Sequence, residues 1–213
     1  MRIAQVCPRY SPDIGGVETH VAEISKRLVA RGHDVTVLTT DPSGKLPPSE
    51  VLDGVKVLRF PSFAPGDAYY LSPSMYSYLR KDHGFDIVHA HGYHAVPALF
   101  ASYAKTGRLV FTPHYHGHGH TWLRNLLLKP YKILAGRIFT KADRVACVSE
   151  YEKRLICRDF PRSCDKISVV PNGVNKVEFE HVEPWPKGLK VILYVGRLEE
   201  YKGVQYTIRA LKF

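Results

Sequence analysis

The chain has 213 residues, of which 45% are hydrophobic and 23% charged, a balance that fits a folded globular protein and excludes a disordered tail or a collagen-like repeat. Thirty Lys and Arg against twenty Asp and Glu give a formal charge of +10, which favours polyanionic partners: phosphate-bearing substrates, an anionic membrane surface or nucleic acid. No run of about 18 apolar residues occurs, and the apolar start is cut short by Pro8 and Arg9, so neither a helical membrane span nor a signal peptide is expected and the expected location is the cytoplasm.

Strand-like and helix-like segments alternate from the first residue. Arg2–Cys7 reads as a buried strand, and Val17, Val21, Ile24 and Leu28 then recur at helical spacing up to Gly32. Asp34–Thr39 and Val55–Phe60 are further strands, followed by a Pro/Gly/Tyr-rich loop and a helix around Ser74–His83. Asp86–His89 is a strand, Ala95–Lys105 a helix, Leu109–Thr112 a strand and Thr121–Lys141 the longest helix. Arg144–Val148 is a strand, after which Ser149 caps a helix with Glu152 three residues on; Lys166–Val170 closes the series. This alternation predicts an α/β fold, a Rossmann-like doubly wound parallel sheet with helices on both faces. Pro184–Gly188 reads as a linker, so the expected domains are 1–183 and a second one begun at 184–213, with a strand over Lys190–Val195 and a helix over Val204–Leu211. One strand and one helix bury no core of their own, so that second part is expected to be a stub.

Ligands of such sheets bind beyond the carboxyl ends of the strands. The strand exits carry Arg9, Tyr10 and Gly15-Gly16-Val17-Glu18; then His89, His91 and Gly92; then His114 and His116; then Ser149 and Glu150; and last Asn172 and Gly173. Gly15-Gly16 leads into a helix N-terminus, where free N–H groups and the helix dipole suit an anion; a tight turn that needs two glycines is the plainer reading. The spacing is not that of a dinucleotide fingerprint, and Asp41, the acid nearest the second strand's end, precedes a proline.

The ordered set G-G-V-E, D-I-V-H-A-H, F-T-P-H, V-S-E, V-V-P-N-G-V and V-G-R-L-E-E-Y-K-G resembles family 4 of the retaining glycosyltransferases, whose two Rossmann-like domains face a cleft in the GT-B arrangement. The resemblance makes this chain the N-terminal, acceptor-side half of an enzyme moving a sugar from a UDP- or GDP-linked donor to a hydroxyl on a glycolipid, polysaccharide or sugar phosphate. It implies that Gly15 and Gly16 approach the donor's phosphate and sugar, that His114 hydrogen-bonds the transferred sugar, and that Arg197 and Lys202 clamp the diphosphate and offset charge on the leaving nucleotide. Arg9, Tyr10, Glu18, His91, His116, Glu150 and Asn172 are the acceptor-side candidates. Front-face displacement, in which the leaving phosphate takes the acceptor's proton, requires no protein nucleophile and no cofactor. With most of the nucleotide pocket beyond these residues, this chain alone is expected to be inactive. A sugar-nucleotide epimerase of the same fold and a non-catalytic acceptor- or membrane-binding module are the competing readings.

His114, His116, His118 and His120 alternate with other residues and, if extended, would share one face able to bind Zn²⁺; the absence of an acid in the run and its two glycines argue against a functional metal. Thr121–Lys141 mixes Leu, Trp and Tyr with Arg and Lys, which suits either a core helix or contact with an anionic membrane. No nucleic-acid-binding motif occurs. Cys157 and Cys164 flank a Pro-containing loop and are close enough in sequence to pair, whereas Cys7 and Cys147 read as small buried residues.

Overall fold

A computed structural model describes residues 1–104, 106–117, 122–174, 188, 190–196, 198 and 200–211. The chain divides into two compact units, Met1–Asn172 and Gly173–Phe213.

The first unit is built on a single eight-stranded sheet: β1 (Arg2–Val6), β2 (Asp34–Asp41), β3 (Ser49–Leu52), β4 (Val55–Pro61), β5 (Ile87–His91), β6 (Arg108–Thr112), β7 (Arg144–Cys147) and β8 (Ile167–Val169). The order is β3-β4-β2-β1-β5-β6-β7-β8, and every pairing is parallel except β3 with β4. The sheet is therefore mostly parallel, as the alternation predicts. Its edge is a hairpin whose first strand the sequence reading left unassigned: Asp53-Gly54 turns Leu52 back onto Val55, with both turn residues at positive φ.

Between the strands run α1 (Gly16–Ala30), α2 (Pro73–Leu79), α3 (Val96–Ala101), α4 (Trp122–Lys141) and α5 (Glu150–Asp159). The order reverses at β1, so right-handed crossovers put α1 on one face and α2–α5 on the other. Packing agrees. Val21 of α1 lies in one core cluster with Val35, Val37, Val55 and Val57, while Met75, Ala98, Ile138, Phe139 and Ile156 join Val6, Leu38 and Phe111 in the other. Val37 and Leu38, adjacent in β2, fall in opposite clusters, which is the period-two alternation of a strand buried on both sides.

Helix boundaries depart from the sequence reading where side chains take over the last carbonyls. α2 stops at Leu79 because the His83 ring stacks on Tyr78 at 3.8 Å between centroids and its Nε2 donates to the Tyr78 carbonyl. α3 stops at Ala101, where the Ser102 hydroxyl donates to the Leu99 carbonyl at 2.6 Å and the next N–H groups tighten to i→i+3 bonds. α4, by contrast, ends at Lys141 as expected, where Lys166 Nζ donates to the Thr140 and Ala142 carbonyls.

In the second unit, α6 (Val204–Ala210) follows Gly203, which takes the left-handed φ of 76° and donates to the Glu200 carbonyl. The strand expected over Lys190–Val195 is not formed. Those described residues pair with no other strand, and Val191, Ile192, Leu193 and Val195 are exposed. A strand needs neighbours to satisfy its backbone and cover its apolar face, and none is present among the described residues. The expected linker residues 184–187, together with Arg197, His118 and His120, lie outside the described residues.

Candidate active site

Reversal of strand order at β1 opens the crevice of this fold between the exits of β1 and β5. Three elements converge there. α1 contributes His20, β5 ends in His91, and β6 runs out through Pro113 to His114. The ladder between β5 and β6 continues beyond the strands: Gly92 N–H donates to the Thr112 carbonyl at 3.0 Å and Tyr93 N–H to the Pro113 carbonyl at 2.6 Å. His114 is thereby held at a φ of 49°, a left-handed conformation that a non-glycine residue adopts at a cost of about 1–3 kcal/mol.

The three imidazoles touch. Ring centroids of His20 and His114 are 5.2 Å apart, those of His20 and His91 5.6 Å and those of His91 and His114 6.3 Å. His89 packs 4.0 Å from His91 and hydrogen-bonds Thr112 Oγ1 through Nε2. The fully buried His91 uses its Nε2 on Gln5 Oε1 at 2.7 Å, and the Asn172 side chain lies near His20. Burial, and then the proximity of the other rings, pushes His89 down to about 3 and His114 to about 4, with His91 also well below its ordinary 6.5. Burial lowers His20 as well, against the opposing pull of the nearby Asn172 side chain. The cluster is therefore neutral near pH 7.

The glycine pair behaves unevenly. A Cβ on Gly15 would run into the Glu18 carboxylate, which folds back over the start of α1. A Cβ on Gly16 would meet nothing within 4 Å, so no packing contact of the chain itself demands a glycine there. No side chain caps α1 at Gly15. His20 lies one helical turn beyond Gly16, which links the open N-terminus of α1 to the His114 ring.

Other sequence candidates scatter. Arg9 is committed to Asp13 and Asp67, at 2.9 and 2.7 Å, so its charge is already offset. Tyr10 is buried in the α1-side core cluster. Asp41 accepts from Ser43 and Leu46 within its own loop. His116 is exposed while His114 is half-buried, so the described part of the histidine run does not present one face. Glu150 is exposed in the first turn of α5, and Lys202 is exposed at the end of the short turn Glu200–Lys202 in the second unit.

Glu152 is the residue the sequence reading undervalued. Ser149 Oγ accepts its N–H at 3.1 Å, as expected of a cap. Its carboxylate, however, does not return to the Ser149 N–H. It accepts from Val148 N at 2.7 Å and from Tyr115 N at 2.6 Å, which fastens the His114 loop to the head of α5. Tyr115 is fixed at its other end by its hydroxyl on Asp159, and Cys157, one residue before Arg158, is disulfide-bonded to Cys164. The S-x-x-E spacing signalled the cap; it carried no sign of Tyr115.

The mostly parallel sheet with its order reversing at β1 is a Rossmann-like doubly wound α/β domain. Superposition bears this out at the level of fold: a sucrose-phosphate synthase from Thermosynechococcus elongatus matches 99% of this chain and 59% of its own with a TM-score of 0.69 at 17% identity. Residues 14–177 match the Glycosyltransferase Family 4 domain, and the chain belongs to that family. It is 31% identical over 238 residues to a glycogen synthase of Mycobacterium tuberculosis, covering 99% of this chain and 58% of that protein. It is 30% identical over 224 residues to a phosphatidyl-myo-inositol mannosyltransferase of Mycolicibacterium smegmatis, covering 99% and 55%. The chain thus spans less than two thirds of the length of the curated relatives it matches. No helix among the described residues is long and apolar enough to cross a membrane.

Proposed function

We propose that residues 1–183 form the acceptor-side domain of a retaining glycosyltransferase that uses a nucleotide-sugar donor, and that residues 184–213 begin its donor-binding domain. The observation that carries the reading is the pairing of a strained, neutral His114 with the uncapped, Cβ-free entry to α1 through His20. The donor's phosphate lies against the N–H groups at Gly15-Gly16, where the helix dipole favours negative charge. Gly16 leaves room for that approach.

In transfer, the bond from the anomeric carbon to the leaving phosphate oxygen breaks, and its electron pair stays on the phosphate. The acceptor oxygen bonds to the same carbon on the same face, and the acceptor's proton passes to the phosphate. Positive charge builds on the sugar meanwhile. A neutral His114 hydrogen-bonds the sugar without opposing that charge, whereas an imidazolium would oppose it. By resemblance Arg197 and Lys202 serve the diphosphate, and the acceptor hydroxyl enters past Glu18 and Asn172. Similarity to both a glycogen synthase and a phosphatidyl-myo-inositol mannosyltransferase is compatible with polymer and lipid-linked acceptors alike. The test is sugar transfer from UDP-glucose and GDP-mannose by a protein that joins this chain to a full donor-binding domain. A His114→Ala loss of about 100-fold or more in kcat supports the reading, since that is the scale of one transition-state contact; an unchanged rate overturns it.

Contact with an anionic membrane is a second element of this reading, favoured by Ile133 and Leu134, which α4 exposes by 81% and 55% beside its basic residues. Sedimentation with phosphatidylserine vesicles, reduced by Ile133→Glu, is the expected result; no preference for anionic vesicles contradicts it.

A further inference from the structure

We propose that His20, His91 and His114 form a binding site for a divalent transition-metal cation of the zinc type. Each ring offers a nitrogen within 4.8 Å of those of the other two. Each also carries one buried nitrogen without a hydrogen-bond partner: Nε2 of His20, Nδ1 of His91 and Nε2 of His114. A buried polar atom left unpaired costs about 1–3 kcal/mol, so three in one cluster call for a shared ligand rather than three separate explanations.

The surroundings prepare these atoms as ligands. Gln5 Oε1 can only accept, so the His91 Nε2 facing it carries the hydrogen and the lone pair sits on Nδ1. His20 leaves its buried Nε2 without a partner, free to meet the other two rings. An outer hydrogen-bond partner such as Gln5 orients a metal-binding imidazole and sets its tautomer. Metal–nitrogen bonds of 2.0–2.1 Å in a tetrahedron put ligand nitrogens about 3.4 Å apart, so the rings close by roughly 1–1.5 Å on binding. His20 and His114 are half-buried, whereas His91 is fully buried and hydrogen-bonded to Gln5, so any closure falls to the first two. Three imidazoles leave the fourth position open toward the crevice. Because His114 is shared, a bound cation and the donor sugar exclude each other. That consequence rests on the function proposed above, whereas cation binding does not.

The test is a titration of the 213-residue chain with cobalt(II), read by the visible absorption of the four-coordinate ion and followed by displacement with zinc. One equivalent should bind, and His20→Asn and His114→Asn should each weaken it by about 100-fold or more, with Gln5→Leu weakening it by about 10–100-fold. Far-ultraviolet circular dichroism checks that each variant is folded, and His91 is left intact because of its burial. No stoichiometric cobalt, or cobalt retained by folded His20→Asn (as binding by His116, His118 and His120 would give), overturns the site. Failure here leaves the sugar site standing, since that is read separately by transfer from donors.

Discussion

The carboxylate of Glu152 accepts the backbone N–H of Tyr115 at 2.6 Å, so the head of α5 grips the chain one residue past His114. Its other oxygen takes Val148 N at 2.7 Å, and the side chain is almost wholly buried. Glu152→Gln keeps one accepting oxygen but sets an amide NH₂ against the other backbone N–H. A loss of about 1–3 kcal/mol in unfolding free energy is expected, measured by urea denaturation. An unchanged midpoint would mean that the carboxylate does not hold the loop.

Gly16→Ala separates packing from ligand access. The added Cβ meets nothing within 4 Å and the position is helical, so thermal stability should hold or rise, by up to about 1 kcal/mol. Interaction with nucleotide sugars should fall. A destabilised Gly16→Ala chain would instead make the glycine a matter of folding alone.

The depressed histidines tie stability to pH. His89 and His114 titrate near 3 and 4 in the folded chain and near 6.5 when unfolded, so between those values the unfolded state binds more protons. The stability they contribute is complete above about pH 6.5 and is lost as pH falls toward 4, at up to about 1.4 kcal/mol per pH unit for each histidine. Urea midpoints in the presence of EDTA should fall steadily from pH 7 to pH 4. A His89→Asn chain should show a shallower decline.

Cys7 and Cys147 are fully buried, and burial pushes both thiols up to about 12. With Cys157 and Cys164 bonded to each other, the native chain should show no thiol that reacts with a disulfide reagent at pH 8, and two after unfolding. Rapid labelling of the folded chain would contradict this packing.

Much of the fold was legible because its signals are local. Strand runs between helical periods gave the parallel sheet, and Ser149 and Gly32 marked helix ends by their own chemistry. Ser49–Leu52 was missed because Glu50 and Ser49 dilute its apolar pattern, and its pairing comes from the Asp53-Gly54 turn. Lys190–Val195 has every local mark of a strand but lacks neighbours to pair with among the described residues. In the site, His91 and His114 could be named from strand exits. His20 could not, because on a helix surface it resembles any exposed polar residue until the crossover of α1 brings it 5.2 Å from His114. Arg9 and Tyr10 misled for the converse reason: a strand exit also holds residues that turn into the core or pair with neighbours, as Tyr10 and Arg9 do here.

The most direct measurement is nuclear magnetic resonance of this chain, with its histidine rings and glycine amides assigned, during addition of millimolar UDP-glucose or GDP-mannose in EDTA. The account expects the His114 ring and the Gly16 amide to shift together and saturably, with weak affinity, and the response to vanish in Gly16→Ala. Shifts confined to other residues, or none at the highest donor concentration, would contradict the placement of the sugar-phosphate between α1 and His114.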